Sequence, residues 1–318
     1  MSVIKKKRVK LIIRWIGTIL SILLFIYLFY VTGFEEILTT LKELSYFRIL
    51  MVIFLIFISR MATFARWHVL LQVEQIKVNW RDSLRLTFAG LFASNFLPTT
   101  IGGDVVRLAG AMRIGISGSL AAASLMMDRL IGMAGMTLAL PFSLSPLINL
   151  LHAQTTQGGY GFLGMTAFFN LILDKAKLFF KKLTLTFSHW IRHPIILLSA
   201  LIFTLIHMAS IFLIVQILIT GMGEQMSYWK IAGLWSLTYF ITLVPISING
   251  LGLQELSITN IFILLGGLSS ATSLSIALFI RALLLLGSLP GAFLISGIIS
   301  GESYSQAENA LDTLQEQI

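Results

Sequence analysis

The chain has 318 residues, of which 57% are hydrophobic and only 12% are charged, and its formal net charge is +9. Soluble domains carry about 25% charged residues, so this composition excludes a soluble enzyme, a nucleic-acid-binding domain and a secreted disulfide scaffold. The absence of cysteine also excludes a thiolate metal site and a cysteine nucleophile. We therefore expect an all-α integral membrane protein, a polytopic helical bundle that lies almost wholly in or beside the bilayer.

The first half of the chain alternates apolar runs of membrane-spanning length with short loops. A basic N-terminus precedes the run at 15–31, which we interpret as an uncleaved anchor. A second span is predicted at about 47–65, after an acidic loop that we place outside. The segment 86–101 is too short and too broken to cross, and full spans are predicted at about 119–144 and 160–173.

The second half repeats this alternation of spans and a broken segment. A span at 195–220 leads outward, and the run at 229–248 enters again and breaks near its end. A second short apolar piece at 255–268 precedes a final span at 272–299 and an acidic tail at 301–318. The sequence thus predicts six full spans plus two broken or re-entrant elements, or eight spans if the second pair crosses completely.

Most basic residues lie in the short loops between apolar runs, in the pattern of the positive-inside rule. The stretch with Arg66, Lys77, Arg81 and Arg85 and the loop at 175–192 are the clearest examples. We predict that these loops are cytoplasmic. We also predict cytoplasmic N- and C-termini and a location in the plasma membrane.

The two broken segments repeat one another. The stretches 98–103 and 245–250 share a proline, a hydroxyl residue, an isoleucine and a glycine in the same order. An acid follows each stretch, and 25 or 26 residues later an arginine lies inside an apolar span. These residues are Asp104 and Arg129 in the first half, and Glu255 and Arg281 in the second.

Three predicted spans separate the two copies, so the repeat is expected to be inverted across the membrane, as in transporters. The repeat elements cover about 85–140 and 228–299 of a single transmembrane domain that spans 1–318. The alternative is a chance match between ordinary proline and glycine kinks in apolar helices.

Charged residues inside apolar spans are the first candidates for a functional site, because each costs about 2.5–3.5 kcal/mol at the helix centre. Asp128 and Arg129 are adjacent, so they point about 100° apart and each needs a partner from another element. Two interpretations remain open. Either Asp104 and Glu255 pair with the arginines in a purely architectural network, or the arginines bind an anion.

The functional alternative is an anion site at the broken segments. Gly102 and Gly103 precede a predicted helix and expose backbone N–H groups that attract phosphate, and Asp104 is expected to cap that helix. Asp104, Asp128 and Glu255 are candidate charge partners or proton-coupling groups. Because the site lies within the bilayer, a lipid phosphate is the expected ligand. The predicted lipid-binding residues are Arg107, Arg129, Arg281, Thr99, Thr100, Gly102, Gly103, Ser247, Asn249 and Gly250.

Three ordered motifs carry a family resemblance. They are SNFLPTTIGGDVVR at 94–107, MDRLIG at 127–132 and PISINGLGLQE at 245–255. These motifs resemble the flippase-like transmembrane region of lysylphosphatidylglycerol synthases, and the resemblance covers roughly 10–300. It implies a membrane domain with re-entrant helices that moves or presents a lipid across the bilayer. The synthase activity of that family belongs to a separate soluble domain, so lysyl transfer is not expected here.

We therefore expect a flippase or scramblase for a phospholipid or a polyprenyl-phosphate-linked lipid, and not an enzyme. The alternatives are an intramembrane lipid-linked transferase and a non-catalytic membrane partner protein. The residues Gly115 to Gly118 match the Gly-x-Ser-Gly motif of rhomboid proteases. Such chemistry needs a histidine base at membrane depth, and His207, the only histidine well inside a predicted span, is better explained as a helix-packing residue. We expect no cofactor, no metal and no nucleic-acid partner. A homo-oligomer or a separate lipid-modifying enzyme is the expected protein partner.

Overall fold

The structure is a computed structural model, and it describes the residues 44–73, 78–95, 102–144, 146, 148, 190, 192–243 and 252–294. Over these residues the protein is all-α and contains no strand. Several predictions fall outside the described residues. They concern the spans at 15–31 and 160–173, the repeated stretches at 98–101 and 245–250, and the tail at 301–318.

Eight α-helices make up the described part of the chain. Those of the first half are α1 (Tyr46–Leu71), α2 (Trp80–Ser94), α3 (Gly102–Arg113) and α4 (Gly118–Ala139). Those of the second half are α5 (Pro194–Gly221), α6 (Tyr228–Thr242), α7 (Leu253–Ile261) and α8 (Ser270–Leu286). Short 3₁₀ or π turns extend three of them, at Leu140–Ser143 after α4, Phe262–Gly266 after α7 and Leu289–Phe293 after α8.

The helix starts are encoded locally by capping residues. A serine or asparagine side chain accepts a hydrogen bond from a backbone N–H of the first turn, which satisfies a donor that the helix itself leaves unpaired. Helix α5 begins instead with Pro194, whose fixed φ suits the first helical position. The caps are Ser45 for α1, Asn79 for α2, Ser117 for α4, Ser227 for α6 and Ser269 for α8.

Four helical segments are long and apolar enough to cross a membrane. They are Tyr46–Leu71, Gly118–Ser143, Pro194–Gly221 and Ser270–Phe293, which agree with the spans predicted at 47–65, 119–144, 195–220 and 272–299. The other described helices have 15 residues or fewer. Fifteen residues rise only about 22 Å, less than the hydrocarbon core of about 30 Å.

Helices α2 and α3 approach each other closely, and this contact positions the charged residues described below. The carbonyl oxygen of Gly90 would overlap a Cβ on Gly103. A Cβ on Gly90 would lie only 2.6 Å from Cγ of Arg107. Both positions therefore need glycine because any side chain would push the two helices apart. On the other side of the bundle, α1 packs along α5 over much of its length.

Candidate functional site

Five charged side chains from α1, α3 and α4 form one continuous network of ion pairs inside the bundle. Asp104 accepts from Nε of Arg129 at 2.6 Å and from Nη1 of Arg107 at 3.2 Å. Asp128 accepts from Nε of Arg66 at 2.6 Å and from both terminal nitrogens of Arg107 at 3.2 Å. Each oxygen of both carboxylates therefore has an arginine donor, which strengthens the network relative to single contacts.

Arg107 is the centre of this network because it donates hydrogen bonds to both carboxylates. Its guanidinium carbon lies 4.1 Å from the centre of the Trp67 ring, an arrangement that stabilises a desolvated cation. Trp67 is fully buried, and its indole N–H donates to Oγ of Ser124 at 3.1 Å. The aromatic ring and the hydrogen bond together hold Arg107 in a fixed orientation.

The local sequence explains why these groups meet. Asp104 and Arg107 are three residues apart on α3 and so lie on the same helix face. On α4, Asp128 points to α1 and α3, whereas its neighbour Arg129 donates to the carboxylate of Asp104 on α3. The expectation that these adjacent residues need partners from other elements agrees with this geometry.

A small cavity borders the network. Its volume is about 140 Å³, and about 10–15 Å³ suffices for one water molecule, so a small polar group fits. The side chain of Arg129 is 43% exposed, whereas no other side chain of the network exceeds 12%. Arg129 is therefore the member of the network that is accessible. The cavity is lined by Thr63, Thr87, Gly90, Leu91, Ser94, Gly103, Asp104, Arg107 and Arg129.

The second half of the chain carries a simpler ion pair. Nε of Arg281, on α8, donates to Oε1 of Glu255, in the first turn of α7. The two equivalent acids of the predicted repeat thus each accept a bond from Nε of the equivalent arginine. The second oxygen of Glu255, Oε2, is buried and has no hydrogen-bond partner.

Two further arginines, Arg66 and Arg60, make contacts inside the bundle, although the sequence does not identify them as candidate site residues. The sequence places Arg66 in a basic loop, yet it lies within α1 and pairs with Asp128. Its Nη1 also donates to Oγ1 of Thr204 at 3.4 Å. Arg60 is buried, and Nη2 donates to the carbonyl of Leu284 at 2.9 Å. Arg60 lies inside the apolar run at 47–65, just as Arg129 lies inside a predicted span. The same sequence signal could therefore have identified Arg60 as a candidate.

The broken segment before α3 differs in detail from the prediction. Gly102 and Gly103 are the first two residues of the helix rather than the residues before it. Asp104 is the third helical residue, so the expectation that it caps α3 was wrong. Because the helix begins earlier, the Asp104 carboxylate is directed to the arginines and not to the helix end. Five predicted ligands lie outside the described residues: Thr99, Thr100, Ser247, Asn249 and Gly250.

The side chains considered for protease chemistry have structural contacts instead. Oγ of Ser117 caps α4 by accepting from the backbone N–H of Leu120 at 3.4 Å. His207 joins α5 to α1 through Nδ1, which lies 2.8 Å from Oγ of Ser59. Among the residues described, no group of histidine, aspartate and glutamate side chains is arranged to hold a metal ion.

Four apolar helices of spanning length, two of which share a buried ion-pair network with the short helix α3, define an all-α, multi-pass membrane protein. Residues 14–291 match the family described as the lysylphosphatidylglycerol synthase TM region. The match covers most of the chain, and the protein belongs to this family. No curated protein matches the chain.

Proposed function

We propose that this protein moves an anionic or amphiphilic lipid between the two leaflets of the plasma membrane, as a flippase or scramblase. The observation that carries this proposal is the cluster of arginines beside the cavity, in which the side chain of Arg129 is accessible. Among the described residues, three arginines meet two carboxylates there. Membership of the lysylphosphatidylglycerol synthase TM family supports a role that concerns membrane lipids.

A cation is costly in the membrane-spanning part of a protein, and a bound anion lowers that cost. A lipid phosphate satisfies this requirement because guanidinium groups bind phosphate through two parallel hydrogen bonds. Arg129 is the accessible arginine, and the hydroxyl groups of Thr63, Thr87 and Ser94 line the same cavity as neutral donors. The lipid tails would remain in the bilayer while the headgroup enters the cavity.

The matched pairs Asp104–Arg129 and Glu255–Arg281 support an inverted repeat with two re-entrant elements. In such a repeat the headgroup is passed between two equivalent arginines, one in each half. The proposal includes cytoplasmic termini and a transport role without chemical change of the lipid. It also includes no ATP binding through a P-loop, since the sequence has no such motif.

Reconstitution into liposomes tests the proposal. Purified protein is mixed with vesicles that contain a fluorescent phospholipid or a polyprenyl-phosphate lipid, and movement to the other leaflet is followed by a membrane-impermeant quencher. We expect exchange faster than in empty vesicles. Arg129→Gln removes a charged hydrogen bond worth about 1.5–3 kcal/mol, so exchange should fall about tenfold or more.

Arg85→Gln is the matched control because Arg85 is an exposed arginine on α2. It should keep the exchange rate of the wild type. Equal rates for Arg129→Gln and wild type contradict the proposed site, and the absence of exchange for every lipid contradicts the function. Mass spectrometry of the same vesicles would reveal a modified lipid if the protein were a transferase.

A further inference from the structure

The three buried carboxylates differ in how completely their oxygens are paired. Both oxygens of Asp104 and both oxygens of Asp128 accept from arginine nitrogens. Glu255 uses only Oε1, for Arg281, while Oε2 is buried and unpaired. The Glu255 residue is only 4% exposed, so water does not compensate this oxygen.

An unpaired carboxylate oxygen in such a place is unfavourable. Burying a polar atom without a partner costs about 1–3 kcal/mol, and more when the group is charged. A proton on Oε2 removes the negative charge and breaks no existing hydrogen bond. Protonation of Asp104 or Asp128 would instead disrupt an existing hydrogen bond from an arginine, because each of their oxygens already accepts one.

We propose that Glu255 is a proton-binding site and that proton binding there is coupled to lipid movement. This inference rests on the proposed function, and it selects one of the three acids that the sequence left as candidates. The proton binds at Oε2 from the water on one side of the membrane and is released to the other side, so no further reactant is needed.

The surroundings of Glu255 contain few other ionisable groups. Helix α7 packs against α6 and α8. From α8, Arg281 contacts Glu255 directly. The ionisable residues of α6 are Tyr228, Lys230 and Tyr239; Lys230 donates to the carbonyl of Gly266, beyond the far end of α7. Among the described residues, Arg281 is therefore the charged group that governs proton binding at Glu255.

The ion pair explains how proton and lipid are linked. When Glu255 is charged, it holds Arg281 and competes with a lipid phosphate for that arginine. When Glu255 is protonated, the attraction weakens, and the positive charge of Arg281 favours the phosphate. Each ligand therefore promotes binding of the other, as linkage requires. One proton accompanies one negative headgroup charge, which keeps the buried region close to electrical balance.

A pH gradient across proteoliposomes tests this coupling. A gradient of one unit drives a one-proton symport to at most about a tenfold difference in lipid concentration between leaflets. We expect the wild type to accumulate the fluorescent anionic phospholipid in the leaflet on the alkaline side. Glu255→Gln mimics the protonated side chain, so it should still exchange lipid but show no accumulation. Asp82→Asn is the control, because Asp82 lies in the first turn of α2, a helix that has no extensive packing against α7 or α8.

Infrared spectroscopy provides a readout that does not depend on transport. A pH titration of the purified protein should show a protonated carboxyl band that Glu255→Gln lacks and Asp82→Asn keeps. If Glu255→Gln fails to fold, Glu255→Asp replaces it, and the band should shift in frequency and in its titration midpoint.

The outcomes separate the two proposals. Lipid exchange without any effect of the gradient, or accumulation that persists in Glu255→Gln, overturns proton coupling and leaves the transport function standing. If no lipid moves in the wild type, the proposed function fails and the infrared band decides the proton site. A band that is absent from the wild type, or retained in Glu255→Gln, overturns that site.

Discussion

Both halves of the described chain place an acid on a short helix and an arginine on the long helix that follows. In both, Nε of the arginine donates to the acid, Arg129 to Asp104 and Arg281 to Glu255. The first pair is embedded in a network with two further arginines and a second aspartate. The second pair has no such additions among the described residues, and one of its carboxylate oxygens is unpaired.

This difference suggests separate tasks for the two halves. A network in which every carboxylate oxygen is paired resists rearrangement, because any change breaks several charged hydrogen bonds at once. A single pair with a spare oxygen changes its charge at little structural cost. The first half therefore suits a fixed binding site with one accessible arginine, whereas the second half suits a group that binds and releases a proton.

Among the variants that test this comparison, Asp128→Asn should cause the largest loss of stability. The substitution removes the charge that balances both Arg66 and Arg107, and breaking a buried ion pair costs about 3–5 kcal/mol. Glu255→Gln affects one arginine only and should cost about 1.5–3 kcal/mol. Unfolding of the detergent-solubilised protein by heat or denaturant measures both changes in stability.

The control for these two variants is Asp82→Asn, which should cost only about 0.3–1 kcal/mol, because the half-buried Asp82 acts on the start of α2 and has no ion pair among the described residues. If Glu255→Gln proves as destabilising as Asp128→Asn, the two halves are equally rigid and the contrast between them fails.

A smaller effect is expected from Gly103→Ala. The new methyl group would overlap the Gly90 carbonyl, and overpacking of this kind costs about 1–3 kcal/mol. Because Gly103 also lines the cavity, lipid exchange should decrease as well. Gly118→Ala is the matched control, since its methyl group would meet Sδ of Met112 at an ordinary 3.5 Å. Equal melting temperatures for the two variants would contradict the close packing of α2 and α3.

The smallest effect should come from Trp67→Phe. Phenylalanine keeps an aromatic face for Arg107 but loses the hydrogen bond to Ser124, so we expect a loss of about 1 kcal/mol. Trp229→Phe is the control, because Trp229 is 59% exposed. Thermal unfolding compares the pair, and a Trp67→Phe protein as stable as the control would show that Arg107 is held without the indole.

Hydropathy was sufficient to predict the long helices, because a span needs only an uninterrupted apolar run of known length. The pairing of Asp104 with Arg129 was also within reach, since two buried charges of opposite sign at matching positions favour contact. The sequence could not predict that Arg66 belongs to the ion-pair network. An arginine near the end of a span looks the same in the sequence whether it marks a cytoplasmic loop or points into the bundle.

Other parts of the site depend on distances that the sequence does not contain. The stacking of Trp67 on Arg107 joins α1 to α3, and the contact of Gly90 with Gly103 joins α2 to α3. Neither contact has a local pattern, because each requires two helices to be placed first. The unpaired oxygen of Glu255 cannot be predicted from a local pattern either, since the burial of one atom depends on all of its neighbours.

The contact between Arg60 and the carbonyl of Leu284 has a consequence for how relatives of this protein should differ. The acceptor is a main-chain atom, so any side chain at position 284 preserves it and the bond depends on Arg60 alone. A Cβ on Gly287 would lie 3.0 Å from Nε of Arg60 and 3.1 Å from the carbonyl oxygen of Leu283, so a side chain there requires these neighbours to shift. Arginine should therefore be retained at position 60 across the family, whereas position 284 should vary freely among apolar residues.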